Sequence, residues 1–107
     1  MTDVKVDFEE NIAKGIGEDP EKAKMVGAIY CFNITGDGGG TWTVDLKTDP
    51  GVRAGDHGDA DCTIEVSTDD WHTMRAKPGS AMELYMQGRL KVGGNVMLAA
   101  KLQQVLR

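Results

Sequence analysis

The spacing of apolar residues changes several times along this chain, and each change marks an element. Near the N-terminus Val6, Ile12, Ile16 and, less regularly, Phe8 recur at helical intervals. Asp7, Glu9, Glu10 and Lys14 fall on the other side, which predicts an amphipathic helix ended by Gly15 and Gly17. Asp19-Pro20-Glu21 reads as a second helix start, because Asp19 can cap free backbone N–H groups and a proline at the first helical position loses no hydrogen bond. From Met25 to Thr35 the period drops to two, with Val26, Ala28, Tyr30, Phe32 and Ile34 on one face of a strand. A glycine-rich turn, Gly36-Asp37-Gly38-Gly39-Gly40, leads to a second alternation of Trp42, Val44 and Leu46 against Thr41, Thr43, Asp45 and Lys47, so the two strands form a hairpin.

The Gly- and Asp-rich stretch from Thr48 to Asp59 reads as a loop before a third strand. There Cys62, Ile64 and Val66 alternate with polar residues, which leaves one face of the sheet wet. Thr68 is placed to cap the next helix, with Asp69 and Asp70 in its first turn and Trp71, Met74 and Arg75 following; Lys77-Pro78-Gly79 stops it. Ser80-Ala81-Met82-Glu83 has the form of a capping box and opens a helix closed by Gly88. Leu90 and Val92 suggest a short strand, Gly93-Gly94 a turn, and Asn95 the cap of a last helix bearing Met97, Leu98, Leu102, Val105 and Leu106.

Composition narrows what such a string of elements can do. With 107 residues the chain has room for one core, so one domain over 1–107 is expected, and 40% hydrophobic with 27% charged residues is the balance of a packed globule. A net charge of -5 opposes nucleic-acid binding, which depends on Lys and Arg. The longest apolar stretch, Met25 to Ile34, is too short to span a bilayer, and the acidic first ten residues do not resemble a secretory signal. A cytoplasmic protein follows as the expectation. Cys31 and Cys62 lie outside any metal-ligand spacing and are expected to be buried free thiols, a disulfide requiring that their two strands bring the side chains together; no metal and no cofactor is expected.

Three segments give the order of elements a family likeness: Phe32-Asn33-Ile34-Thr35, Trp42-Thr43-Val44-Asp45-Leu46-Lys47 and Asp59-Ala60-Asp61-Cys62-Thr63-Ile64. The run Met86-Gln87-Gly88-Arg89-Leu90-Lys91-Val92-Gly93-Gly94-Asn95, followed by Leu98-Ala99-Ala100-Lys101-Leu102, completes it. Together they resemble the sterol carrier protein type 2 domain over almost the whole chain. The resemblance implies an α+β fold, a five-stranded, mostly antiparallel sheet covered on one face by about five helices. It also implies an apolar cavity for sterols, fatty acids, fatty acyl-CoA or phospholipids, and no catalytic residues.

A lipid site needs a dry cavity and few polar anchors. The residues expected to line it are Phe32, Ile34, Trp42, Val44 and Ile64 from strands, Trp71, Met74, Met82, Tyr85 and Met86 from the middle helices, and Leu90, Met97, Leu98 and Leu102 from the C-terminal part. Thioether side chains suit such a role because they mould to varied shapes. Arg53, Arg75 and Arg89 are candidates to meet an acidic head group. The terminal helix, 96–107, is the natural lid. A monomer that touches membranes only transiently is the expected form. The rival readings are an accessory domain presenting lipid to a partner enzyme and a small enzyme using His57 or His72. The glycine run lacks the Lys-Ser/Thr of a phosphate loop, and Asp56-His57-Gly58-Asp59-Ala60-Asp61 lacks the pattern of a calcium loop.

Overall fold

A computed structural model describes residues 3–77 and 79–101. Five strands make one sheet: β1 (Ile29–Thr35), β2 (Gly40–Asp45), β3 (Gly51–Ala54), β4 (Cys62–Ser67) and β5 (Leu90–Gly94), in the spatial order β3-β2-β1-β4-β5. Three of the four pairings are antiparallel, whereas the central one, β1 with β4, is parallel, with Tyr30 opposite Cys62 and Phe32 opposite Ile64. The first three alternating segments therefore do not form a meander. The β2 edge of β1 is taken by the hairpin, and β4 returns to the other edge through a crossover. β3 lies inside the stretch read as a loop from Thr48 to Asp59. It is a short edge strand whose residues are half-buried or exposed, so it leaves little periodic signal.

The helical layer begins with α1, a continuous run of Val4–Val6, a π-helical stretch Asp7–Ile12 and Ala13–Glu18. Val4, Phe8, Ile12 and Ile16 are its buried residues, together with Asp7, while Val6 faces outward and the helix continues through Gly15 and Gly17. A four-residue stride overshoots a 3.6-residue turn, so a purely α-helical register would carry these side chains around the axis. The wider π turn corrects the drift and holds them in one row. Asp19 caps α2 (Pro20–Val26) by accepting from the Lys22 N–H at 3.1 Å, and Gly27 ends it with φ of 65°. Met25 and Val26 thus belong to a helix and not to the first strand; Met25 is exposed.

In α3 (Thr68–Ala76) the cap is Ser67, whose Oγ accepts from the Asp70 N–H. Thr68 instead turns its hydroxyl to the carbonyls of Thr35 and Asp37, both at 2.9 Å. The capping box at α4 (Ser80–Met86) does not form: Ser80 lies within the helix and donates to the Lys77 carbonyl. Asn95 does cap α5 (Val96–Ala100), accepting from the Met97 N–H at 3.0 Å. Leu102, Val105 and Leu106 lie outside the described residues.

Period-two alternation sorts the sheet's side chains. Tyr30, Phe32 and Ile34, with Trp42, Val44, Ile64, Val66 and Leu90, belong to the cluster that packs with the helices. Cys31, Asn33, Thr43 and Asp45 point to the other face, where the segment after β3 covers part of it: Thr43 donates to the Gly55 carbonyl at 2.7 Å. Gly39 is required in the β1–β2 turn, because a Cβ there would stand 2.1 Å from the Ile34 carbonyl oxygen.

Candidate functional site

The core of the helix-facing side is built around one side chain. Phe8 stacks between the indoles of Trp42 and Trp71, with centroids at 4.7 and 4.6 Å and interplanar angles of 6° and 18°. Each tryptophan has an N–H that must be satisfied when buried. The residues flanking Phe8 accept those protons: Asp7 takes the Trp71 N–H at 2.9 Å and Glu9 the Trp42 N–H at 3.1 Å. Asp7 also accepts from Arg75 Nε at 2.7 Å and from the Asn11 amide at 3.2 Å. Asp7 is therefore buried against α3, and not turned to solvent with Glu10 and Lys14 as its place in the amphipathic pattern suggested.

Beside this cluster, a cleft of about 120 Å³ opens between α1, α2 and the end of β2. Its apolar lining comes from Ile12, Ile16, Ala23, Val26 and Leu46. Lys22, Arg75, Asp19 and Asn11 add polar and charged groups to the same wall. The combination is an apolar floor with two cations beside it, suited chemically to an amphiphile with an acidic head. The sequence signal for this site was weak, since Ile12 and Ile16 read only as one face of a helix.

The residues expected to line a cavity divide into three groups. Phe32, Ile34, Trp42, Val44, Ile64, Trp71, Met74 and Leu90 are brought together in the closed core. Met82, Tyr85 and Met86 on α4 and Met97 on α5 are exposed, and Leu98 is half-buried against the core. Leu102 falls outside the described residues. The three arginines are all paired with carboxylates: Arg75 with Asp7, Arg53 with Asp59 at 3.0 Å, and Arg89 with Asp70 through Nε at 3.1 Å and a second bond from Nη2.

Cys31 and Cys62 are buried free thiols. The β1–β4 register sets Cys62 opposite Tyr30, one residue away from Cys31, so the two sulfurs lie on opposite faces of the sheet and cannot bridge. Burial, with Asp61 nearby, pushes the Cys62 thiol up to about 11, and burial with Asp56 and Asp59 raises Cys31 despite a hydrogen bond to Thr43. Both are kept in the unreactive protonated form. His57 sits on the exposed loop after β3 with Nε2 2.9 Å from the Ala54 carbonyl, which commits that nitrogen to donating its proton. His72 is half-buried on α3. Among the described residues no cluster of three or more His, Cys, Asp or Glu could hold a metal ion, and no helix is long and apolar enough to cross a membrane.

Comparison with known proteins places this arrangement. The model of the SCP-2 sterol transfer family matches residues 8–107. Hydroxysteroid dehydrogenase-like protein 2 of Homo sapiens is 38% identical over 100 residues, covering 89% of this chain but 23% of that protein, so the chain spans about a quarter of that relative's length. The fatty acid-binding protein of Yarrowia lipolytica is 38% identical over 92 residues, 81% of this chain and 71% of that one. The solution structure of palmitated SCP2L2 from Aedes aegypti superposes with a TM-score of 0.78 at 29% identity, over 99% of this chain and 96% of that chain. With a family model matching residues 8–107, nearly its full length, the chain belongs to the SCP-2 sterol transfer family.

Proposed function

We propose that this chain is a non-enzymatic domain that binds and transfers lipids, acting as a monomer inside the cell. The observation that carries the reading is the cleft between α1, α2 and Leu46, where an apolar floor meets the cations of Lys22 and Arg75. Relatives named as a fatty acid-binding protein and as a palmitated carrier support it. A reducing compartment fits the two free thiols.

The cleft is far smaller than the roughly 300–1,000 Å³ of pockets that enclose drug-sized ligands. A long acyl chain therefore enters at Ile12, Ile16 and Leu46 and parts the helices from the sheet, where Met74 and the buried aromatic residues receive it. Burial of apolar ligand surface, at about 25 cal/mol per Å², supplies the driving force. Lys22 and Arg75 face the head group. Ligand should accordingly raise the melting temperature.

Titration with a fluorescent fatty acid tests this directly. Saturable uptake is expected, and the exposed rim change Lys22→Glu should weaken a carboxylate-headed ligand several-fold while leaving a sterol probe nearly unaffected. Absence of saturable uptake of either probe would end the reading. A second reading, an accessory domain that presents lipid to a partner enzyme, is favoured by the much greater length of the dehydrogenase-like relative. It predicts the same uptake, plus a rise in a partner enzyme's turnover of lipid substrate when the domain is present.

A further inference from the structure

Two polar groups of the cleft wall, the guanidinium of Arg75 and the amide of Asn11, bond to one and the same buried carboxylate. Asp7 is only 4% exposed. Its Oδ2 accepts from Arg75 Nε at 2.7 Å and from the Trp71 indole at 2.9 Å, while its Oδ1 accepts from Asn11 at 3.2 Å. Trp71 in turn stacks on Phe8 at 4.6 Å, in the core that encloses Met74. One side chain thus joins the wall of the cleft to the aromatic stack.

The charge of Asp7 makes this junction sensitive to what enters the cleft. A carboxylate taken out of water is tolerated while a cation and donors compensate it, and becomes costly when the cation is drawn away. Arg75 is the cation paired with it among the described residues. The carboxylate of an acidic head group is a chemically equivalent partner for a guanidinium, so a ligand in the cleft competes with Asp7 for Arg75. Burial of the acyl chain drives the exchange. Asp7 also has a way out: it is the first residue of the π-helical stretch that turns it inward, and on an α-helical pitch it falls with Glu10 and Lys14 on the outer side.

We infer that Asp7 is a head-group-sensitive latch: an acidic head group draws Arg75 and Asn11 off Asp7, and the release of Asp7 loosens Trp71 from Phe8 and opens the core to the acyl chain. The inference rests on the reading of the cleft as a lipid site and adds to it a determinant of specificity. A neutral head group offers Arg75 no charge and leaves Asp7 seated, so lipids with an acidic head reach the core more readily than alcohols of the same length.

Palmitate and hexadecanol, identical in chain length and different in head group, test the latch on the whole chain. In a protein carrying nitrogen-15 in its tryptophans, the Trp71 and Trp42 indole N–H signals are followed as each lipid is added, with Trp42→Phe identifying which is which. Palmitate should move the Trp71 signal upfield, as loss of an acceptor requires, and by more than the Trp42 signal, whose acceptor is Glu9; hexadecanol should not separate the two. Asp7→Asn keeps an oxygen for the Trp71 N–H and removes the charge that holds Arg75, so palmitate affinity should rise about fivefold or more while hexadecanol affinity changes less than about twofold. Adding Arg75→Gln to that variant leaves no unpaired charge behind and should give the gain back.

Equal Trp71 shifts with the two lipids, no Trp71 shift with palmitate bound, or palmitate affinity that Asp7→Asn lowers or leaves unchanged would overturn the inference. The indole signals of the unaltered chain decide the question even if Asp7→Asn fails to fold. A purely structural Asp7 would alter both affinities together and would not distinguish the head groups. Saturable palmitate uptake without a Trp71 response removes the latch and leaves the lipid-binding reading standing, whereas no uptake of either lipid removes both.

Discussion

The two ends of the helical layer use the same kinds of residue in opposite ways. Around α1 and α3 the apolar side chains are enclosed: Phe8 lies between two indoles, Met74 is 0% exposed, and the polar atoms the packing brings inside are matched to Asp7 and Glu9. Around α4 and α5 the apolar side chains stand in water, and Met86 and Met97 are about as exposed as a lysine would be. The difference lies in what is available to cover each helix, not in the residue type. α1 packs on β3 and α3 on β1 and β4, and the two helices meet through Phe8 against Trp71 and Asp7 against Arg75, whereas α4 and α5 pack on the edge strand β5.

That contrast can be broken most forcefully at its centre. Phe8→Ala removes the ring both indoles stack on and should cost about 3–5 kcal/mol in urea unfolding; a loss under about 1 kcal/mol would mean the stack is incidental. Met74→Ala should cost about 2–5 kcal/mol, against less than about 0.5 kcal/mol for Met86→Ser. Similar losses at the two positions would erase the distinction between the ends. Tyr30→Phe sharpens the boundary between them, because the buried Tyr30 hydroxyl donates to the Leu98 carbonyl at 2.7 Å and so ties β1 to α5. It should cost about 1 kcal/mol and speed amide exchange in α5 more than in α3.

The smallest expected effect is with alkaline pH. The Cys62 thiol, raised to about 11 in the fold, holds its proton in a pH range where the unfolded chain has already lost it. The folded state then binds more protons than the unfolded one, so stability falls as pH climbs from about 9 to 11. Tyr30, raised by burial, acts in the same direction. Urea midpoints measured across that range should decline, and Cys62→Ala should make the decline shallower.

Elements whose signal is local were legible in the sequence. β1, β2 and β4 alternate over enough residues to fix both their existence and their buried face, and Asp19-Pro20 and Asn95 announced their helices through caps that the structure retains. The missed features depend on partners distant in the chain or on a change of helical pitch. β3 is short, and it is a strand because β2 holds it. The inward turn of Asp7 follows from the π-helical stretch and from the N–H of Trp71, 64 residues away. Ser67 and Thr68 are equivalent cap candidates by composition, and only the carbonyls of Thr35 and Asp37 decide which hydroxyl is free to cap.

For the candidate site, the sequence supplied the class of residue and not its place. The methionines of α4 and α5 read the same way as Met74, and no local pattern separates a side chain that will be enclosed from one that will be left outside. The cleft was invisible for a related reason: Ile12, Ile16, Ala23, Val26 and Leu46 come from three separate elements and converge only after the sheet has formed.

The parallel pairing of β1 with β4 also governs how the molecule is made. A ribosome releasing the chain from its N-terminus can let β1 and β2 close as a hairpin early, but the middle of the sheet stays open until Ser67 has emerged. Until then the apolar edge of β1 has no neighbour, which makes the nascent chain most prone to clumping, and most in need of a chaperone, between synthesis of residues 35 and 67.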